Sequence, residues 1–215
     1  MKHLKLTPPL LIVTMGLPGS GKTFFARQFA DLHKLPRLSE DVFRFELFEN
    51  PQFNHDEAEI IERIMHYSLD QLMQTEQTII CEGGFLSAAQ RKQIYEIATK
   101  NGYRTLVVWL QTDLETSVSR AKSRDRRSID NKYSFAIDKQ TFAAIKNSLD
   151  KPSEKEPVVV ISGKHAFKNQ CLTVLRKIAG MYSESISQGD FGTSNPLAGA
   201  KRPAVSQHPK PRFIQ

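Results

Sequence analysis

The sequence has few cysteines and no long apolar run. Its 215 residues include two cysteines; Cys81 lies within an apolar stretch and Cys171 lies in a helical pattern. This usage excludes the disulfide framework of a small secreted protein. No stretch approaches the roughly 20 apolar residues of a transmembrane helix, and no small-residue cleavage site follows the first apolar stretch. We therefore expect a cytoplasmic protein with no membrane partner.

Acidic residues are fewer than basic ones. The chain has 30 Lys and Arg residues against 23 Asp and Glu residues, which gives a formal net charge of +7. This excess favours an anionic ligand or partner, such as a nucleotide, a nucleic acid or an acidic surface, without choosing among them. Hydrophobic residues make up 40% of the chain and charged residues 25%, which is the composition of a globular protein with a core.

The segment GLPGSGKT, residues 16–23, lies between an apolar run and an amphipathic helical pattern. Its glycine, lysine and threonine spacing is that of a P-loop. Glycines let successive backbone N–H groups turn towards a phosphate, and the dipole of the following helix favours the same anion. We expect the loop to bind ATP and Mg²⁺, with Lys22 at the β and γ phosphates and Thr23 on the metal. The predicted nucleotide-binding residues are Gly16, Pro18, Gly19, Ser20, Gly21, Lys22 and Thr23.

Strand and helix patterns alternate along most of the chain. Amphipathic helical patterns separate apolar or β-branched runs, which predict strands at residues 10–15, 78–82, 105–110 and 158–161, and the segment LPRLS at residues 35–39 is interpreted as a short second strand. Such alternation predicts an α/β fold, in which a doubly wound five-stranded parallel sheet carries helices on both faces.

The composition changes after residue 182. Residues 183–215 are rich in Gly, Ser and Pro and show no hydrophobic periodicity. Such a segment cannot bury enough apolar surface to fold. We therefore expect residues 1–182 to form one P-loop domain and residues 183–215 to form a disordered basic tail. A solvated tail is the simpler expectation, and a weak anionic partner is the alternative.

Asp41 and Arg44 follow the second predicted strand, in the segment LSEDVFR. A carboxylate at the carboxyl end of a parallel strand projects over the ligand-binding edge of the sheet. We predict Asp41 as the general base for an acceptor hydroxyl. Arg44, one helical turn later, is predicted to bind an acidic group of the acceptor. The alternative is that Asp41 caps a short helix and Arg44 is a surface residue.

Glu82 ends the third predicted strand and is followed by two glycines. A carboxylate in this place, beside the phosphate loop, is suited to bind Mg²⁺ or its water ligands. A glutamate that leaves the sheet for solvent would show the same pattern. We therefore predict Thr23 and Glu82 as metal-binding residues and leave the role of Glu82 open.

Four arginines follow the fourth predicted strand and its helix, in the segment SRAKSRDRR. Guanidinium groups in this place are suited to clamp phosphates when a lid closes and excludes water. Arg120 and Arg124 are four residues apart, so we expect them to share a helix face. We predict that both act in catalysis together with Lys22 and Asp41. A solvated basic surface is the alternative.

These segments together resemble the small P-loop kinases of the polynucleotide-kinase and zeta-toxin type, a group of AAA-family kinases. The similarity covers residues 10–179 and rests on GLPGSGKT, on LSEDVFR as an Asp-x-x-Arg segment, and on RAKSRDRR as an arginine lid. It implies a parallel five-stranded sheet with the P-loop strand at its centre. It also implies that Asp41 activates the acceptor, that Arg44 contacts it, and that Arg120 and Arg124 contact the phosphoryl group in transfer.

The predicted function is transfer of the γ-phosphoryl group of ATP to a hydroxyl, on a nucleic acid 5′ end or on a small metabolite. A zeta-toxin-like kinase of a nucleotide sugar is one alternative. A nucleotide-binding ATPase or switch without a phosphorylated product is another, and there substitution of Asp41 would leave turnover nearly unchanged. The sequence does not distinguish ATP from GTP.

Overall fold

The structure is a computed structural model that describes residues 6–83, 85–124, 133 and 135–187. It divides into two compact units, Met1–Gly180 and Met181–Gln215. Most of the predicted tail, residues 188–215, lies outside the described residues. In the part that is described, no helix has both the length and the apolar character that a membrane span requires.

The first unit contains a five-stranded sheet in the order β2-β3-β1-β4-β5, in which all four pairings are parallel. The strands are β1 (Leu10–Met15), β2 (Arg37–Ser39), β3 (Ile79–Glu82), β4 (Arg104–Gln111) and β5 (Val158–Ser162). The predicted α/β fold is therefore confirmed, and the strand before the P-loop lies at the centre of the sheet.

Seven helices occur in the described residues. They are α1 (Lys22–His33), α2 (Glu40–Leu47), α3 (His55–Met73), α4 (Ala88–Lys100), α5 (Leu114–Lys122), α6 (Lys139–Asn147) and α7 (Phe167–Ser187). Side-chain caps explain several boundaries. Helix α6, for example, begins at Lys139, because Asp138 accepts hydrogen bonds from the backbone N–H groups of Gln140 and Thr141.

Both faces of the sheet are covered, so all six residues of β1 are buried. Leu11 and Val13 lie in one apolar cluster with buried side chains of α3 and α4. Side chains alternate along a strand. On the opposite face, α1 packs against β1 and β3 and buries an apolar stripe made of Phe25, Ala26, Phe29 and Ala30. This packing fixes the loop between β1 and α1 at the carboxyl edge of the sheet.

Candidate functional site

The P-loop connects the central strand to α1 through three glycines with positive φ angles, Gly16, Gly19 and Gly21. Gly19 has φ +79°, and a Cβ atom there would lie 2.2 Å from the carbonyl oxygen of Ser117. Only glycine fits such a position without displacing α5. Gly21 is the N-cap of α1 and makes no side-chain cap bond, which leaves the first N–H groups of the helix available to an anion.

Lys22 is the first residue of α1, and its ammonium group is folded back over the loop. Its Nζ donates hydrogen bonds to the carbonyl oxygens of Gly16, at 2.7 Å, and Leu17, at 3.2 Å. Burial, together with the nearby Arg124, lowers the pKa of Lys22 to about 8 against the opposing effect of Asp41. The charges of a bound phosphate would favour the protonated ammonium.

Asp41 lies in the first turn of α2, after the end of β2. The cap of this helix is Ser39, whose Oγ accepts a hydrogen bond from the N–H of Val42. The alternative that Asp41 caps the helix is therefore wrong. Burial, together with the nearby Glu40, raises the pKa of Asp41 to about 6 against the opposing effect of Lys22. A carboxyl with this pKa can exchange a proton near neutral pH.

Arg44 is buried, with 5% of its surface exposed, so the alternative of a surface residue is wrong. Its guanidinium group donates hydrogen bonds to Glu40 Oε1, at 3.0 Å, and Glu57 Oε2, at 3.4 Å. It also lies 5.1 Å from the centre of the Phe53 ring. Two carboxylates therefore balance its charge within the protein. The role of Arg44 towards an acidic acceptor stays a prediction.

Glu82 ends β3 and is also buried, with 3% of its surface exposed. The alternative that this glutamate leaves the sheet for solvent is therefore wrong. Its Oε1 forms an ion pair with Arg37 of β2. Its Oε2 is buried and has no hydrogen-bond partner among the described residues. An unsatisfied carboxylate oxygen is unfavourable unless a metal ion, a water molecule or a ligand completes it.

Arg120 and Arg124 do not share a helix face, so that expectation is wrong. Helix α5 ends at Lys122 with Ser123 as its C-cap, and the chain has left the helix before Arg124. Arg120 donates a hydrogen bond from Nη1 to the carbonyl oxygen of Gly163, at 3.2 Å. Burial lowers the pKa of Arg124, and Asp41 opposes this effect. Two further arginines of the predicted lid, at 126 and 127, lie outside the described residues.

Two clefts meet at the P-loop. The larger one, of about 1040 Å³, contains Gly19, Gly21 and Arg120 and is bordered by the loop 163–167 after β5. The smaller one, of about 220 Å³, contains Gly16, Pro18, Arg44 and Glu82. Five residues line both clefts, namely Lys22, Thr23, Ser39, Asp41 and Arg124. Of the predicted site residues, Ser20 alone lines neither cleft, because its side chain is buried.

A sequence model of the AAA domain family matches residues 11–152. The chain belongs to this family. The resemblance to small P-loop kinases that the motifs predict is thereby confirmed. A shikimate kinase from Novosphingobium aromaticivorans is similar to this AAA-domain chain, with 24% identity over 180 residues that cover 78% of this chain and 86% of that protein.

Solved structures show the same fold. A gluconokinase from Sinorhizobium meliloti has a TM-score of 0.61 at 14% identity, covering 85% of this chain and 98% of the gluconokinase chain. Kti12 from Chaetomium thermophilum, in complex with ADP-AlF3, has a TM-score of 0.61 at 17% identity and covers 79% of this chain and 97% of its own.

A magnesium ion fits this AAA-domain site in the way that kinases commonly bind it. The described residues contain no group of three His, Cys, Asp or Glu side chains placed to hold a metal ion. Mg²⁺ usually keeps several waters and binds through one or two protein groups together with substrate phosphates. The exposed Thr23 beside the loop and the unsatisfied Glu82 Oε2 are groups of this kind.

Several residues that line the clefts had no place in the sequence prediction. The smaller cleft has an apolar wall, made of Phe53, Leu86, Phe135, Ile137 and Ile145. No short motif marks these residues, because they come from three separate loops and a helix. The loop 163–167 had a detectable signal. Gly163 follows the apolar run of β5, as Gly16 follows that of β1, and a Cβ atom there would lie 1.9 Å from the Ser20 carbonyl oxygen.

Proposed function

We propose that this chain transfers the γ-phosphoryl group of ATP to a hydroxyl of a small molecule. The junction between the two clefts carries the proposal, because Lys22, Thr23, Asp41 and Arg124 line both of them. A nucleotide in the larger cleft would extend its phosphates along the P-loop to this junction. An acceptor in the smaller cleft would then present its hydroxyl to the terminal phosphate beside Asp41.

Each residue at the junction has a role that follows from its position and charge. Asp41 accepts the proton of the hydroxyl, for which its raised pKa is suited. Lys22 and Arg124 balance the charge of the transferring group, and Arg120 contacts the nucleotide in the larger cleft. Thr23 and Glu82 would hold Mg²⁺, directly or through water, and the ion supplies further neutralisation of phosphate charge when bound.

A small acceptor fits the smaller cleft better than a nucleic acid does. Its volume of about 220 Å³ is below the usual range for drug-sized ligands, about 300–1,000 Å³. The cleft presents Glu40, Asp41 and Glu82 beside its three cations. It therefore lacks the excess of cationic groups through which proteins bind the phosphate backbone of nucleic acids. The names of the similar proteins, a shikimate kinase and a gluconokinase, support the same class of acceptor.

The test is transfer of labelled γ-phosphoryl from ATP, with magnesium, to a panel of acceptors. The panel contains shikimate, gluconate, nucleosides, nucleotide sugars and 5′-hydroxyl oligonucleotides. Asp41→Asn should reduce transfer by about 10²–10⁴-fold, the usual contribution of a general base, while nucleotide affinity stays nearly unchanged. Lys22→Ala should lose nucleotide binding itself.

Asp31→Asn is the matched control, because Asp31 is an exposed carboxylate of α1. Label that appears only as inorganic phosphate, at a rate that Asp41→Asn leaves unchanged, would show an ATPase or switch instead. Label that enters only 5′-hydroxyl oligonucleotides would show a polynucleotide kinase, and label that enters only nucleotide sugars would show an enzyme of the zeta-toxin type.

A further inference from the structure

The charge of Arg44 is already balanced by the carboxylates of its own protein. Glu40 lies one helical turn before it and Glu57 lies on α3, and both accept hydrogen bonds from the guanidinium group. Arg44 and Glu57 are both buried, with 5% and 7% of their surfaces exposed. This cluster has a formal charge of −1. An anionic group would therefore have to displace a buried carboxylate to reach Arg44.

The other charges of the smaller cleft do not favour an anion either. Asp41 and Glu82 add two carboxylates to its lining. Among the residues described there, the remaining cations are Lys22 and Arg124, which lie where the two clefts meet. Under the proposed function, the phosphates of the nucleotide occupy that junction. Among the described residues, the far end of the smaller cleft therefore offers no unpaired cation to an acidic acceptor.

Glu57 also holds the backbone of the segment that forms the apolar wall. Phe53 has a φ angle of +55°, a left-handed conformation that is uncommon for a large side chain. The two oxygens of Glu57 accept hydrogen bonds from the N–H groups of Gln52 and Phe53, both at 2.7 Å. Such outliers persist where surrounding contacts fix them, and they concentrate at functional sites. One carboxylate thus fixes both Arg44 and the Phe53 backbone.

The Phe53 ring stands in an aromatic group at the cleft. Its centre lies 3.8 Å from that of Phe135 and 6.1 Å from that of Phe45. The side chain is nevertheless 39% exposed, and Leu86 and Ile137 extend the wall that it begins. An exposed aromatic surface inside a small cleft is suited to stack on an apolar or aromatic face of a ligand.

We infer that the acceptor is a small hydroxyl compound that carries no negative charge and lies with an apolar or aromatic face against Phe53 and Phe135. Glu57 is the positioning residue for this preference, because it balances Arg44 and holds the Phe53 backbone. The inference rests on the proposed function, since it describes the acceptor of that same site. It also distinguishes this chain from an enzyme that takes a carboxylate such as shikimate or gluconate.

The first experiment sorts candidate acceptors by charge, so the acceptor itself can be unidentified at the start. A protein-free small-molecule extract is passed over an anion exchanger, and the non-binding and the retained compounds are each incubated with the protein, magnesium and γ-labelled ATP. The expected result is labelled product from the non-binding compounds, absent with Lys22→Ala and Asp41→Asn. Product from the retained compounds alone would overturn the inference and leave the proposed kinase function standing. Release of labelled phosphate with no product from either fraction would overturn both.

The second experiment tests Glu57. Glu57→Gln removes one of the two negative charges that balance Arg44. The amount of product formed from the non-binding compounds, divided by the amount formed from the retained compounds, should therefore fall about five-fold or more. The control is Glu59→Gln, because Glu59 is an exposed glutamate of the same helix and should leave the ratio unchanged. An equal loss with both fractions would indicate a merely structural role and contradict the assignment of Glu57.

The third experiment tests the aromatic wall with the product-forming compounds. Phe53→Leu should raise the KM for the acceptor by about 2–10-fold, the range of an aromatic contact, and leave the KM for ATP unchanged. Phe53→Tyr keeps the ring and should restore the acceptor KM. An acceptor KM that is the same in all three proteins would show that the ring does not contact the acceptor.

Discussion

Under the proposed function, the rate of phosphoryl transfer should fall below about pH 6, because Asp41 would have to be deprotonated to accept the hydroxyl proton. Burial raises the pKa of Asp41 from 3.8 to about 6, with a further contribution from Glu40. At about pH 5 such a carboxyl is deprotonated in about one molecule in ten, whereas an ordinary aspartate is deprotonated in more than about nine in ten. We therefore expect kcat/KM for the acceptor at that pH to be about one tenth of its neutral value.

Glu40→Gln tests the physical cause of this fall in rate, which is the acid limb of the pH–rate profile. The substitution removes the negative charge that contributes to the raised pKa of Asp41, so the acid limb should move towards lower pH. The matched control is Glu59→Gln, which removes an exposed carboxylate from α3 and should leave the profile unchanged. Initial rates of labelled product are measured across pH at constant ionic strength, with magnesium in excess so that the charge of the nucleotide complex stays constant.

Two results would refute this account of Asp41. A wild-type limb near pH 4 would show that the carboxyl has an ordinary pKa and is not held in a desolvated site. A limb at the same pH in wild type and in Glu40→Gln would show that the titrating group is not beside Glu40. In either case Asp41 would not be the base whose ionisation limits transfer.

Three further predictions concern stability and nucleotide binding. Asp41→Asn should raise the melting temperature at about pH 8, because the folded state disfavours the charged carboxylate, and the gain should disappear as the pH falls through about 6 to below 3.8. Gly19→Ala should abolish nucleotide binding, because its Cβ would meet a backbone carbonyl of α5. Gly102 has a similar φ with open space around it, so Gly102→Ala should keep nucleotide binding and lower the free energy of unfolding by about 1–2 kcal/mol. Equal losses of nucleotide binding in titration calorimetry would contradict the steric account. Glu156→Gln should reduce the free energy of unfolding in urea by about 3–5 kcal/mol, because it leaves the buried Arg91 of α4 without its carboxylate partner. The control is Glu96→Gln, which removes an exposed ion pair and should reduce the free energy of unfolding by no more than about 1 kcal/mol.

The sequence predicted the strands and most helices because their side chains are buried in a regular pattern. Central strands with two covered faces appear as continuous apolar runs, as in β1, and α1 buries the four residues that its periodicity indicates. Helix ends were less predictable, because they depend on single capping contacts such as that of Asp138. The end of α5 before Arg124 is of the same kind, and this is why the predicted pairing of two arginines on one helix face was wrong.

The P-loop and the place of Asp41 could be predicted because each depends on a few neighbouring residues at the end of a strand. The surroundings of Arg44 could not. Its partner Glu57 is thirteen residues away, beyond a segment with no regular secondary structure, and the Phe53 conformation depends on hydrogen bonds that no motif records. The proposed acceptor class therefore depends on tertiary contacts, whereas the proposed phosphate-binding role could be inferred from the local sequence.

Several unfavourable interactions of the described residues lie around the junction of the two clefts. Burial disfavours the charged forms of Lys22 and Asp41, and the buried Glu82 Oε2 has no hydrogen-bond partner. Arg91 is fully buried, yet Glu156 accepts two hydrogen bonds from its guanidinium group. Burial of a charged group is therefore not unfavourable in itself, because a partner inside the protein can satisfy the group. A phosphate, a metal ion and an acceptor hydroxyl would relieve these interactions, and Lys22, Glu82 and Asp41 are the side chains that we propose to bind them.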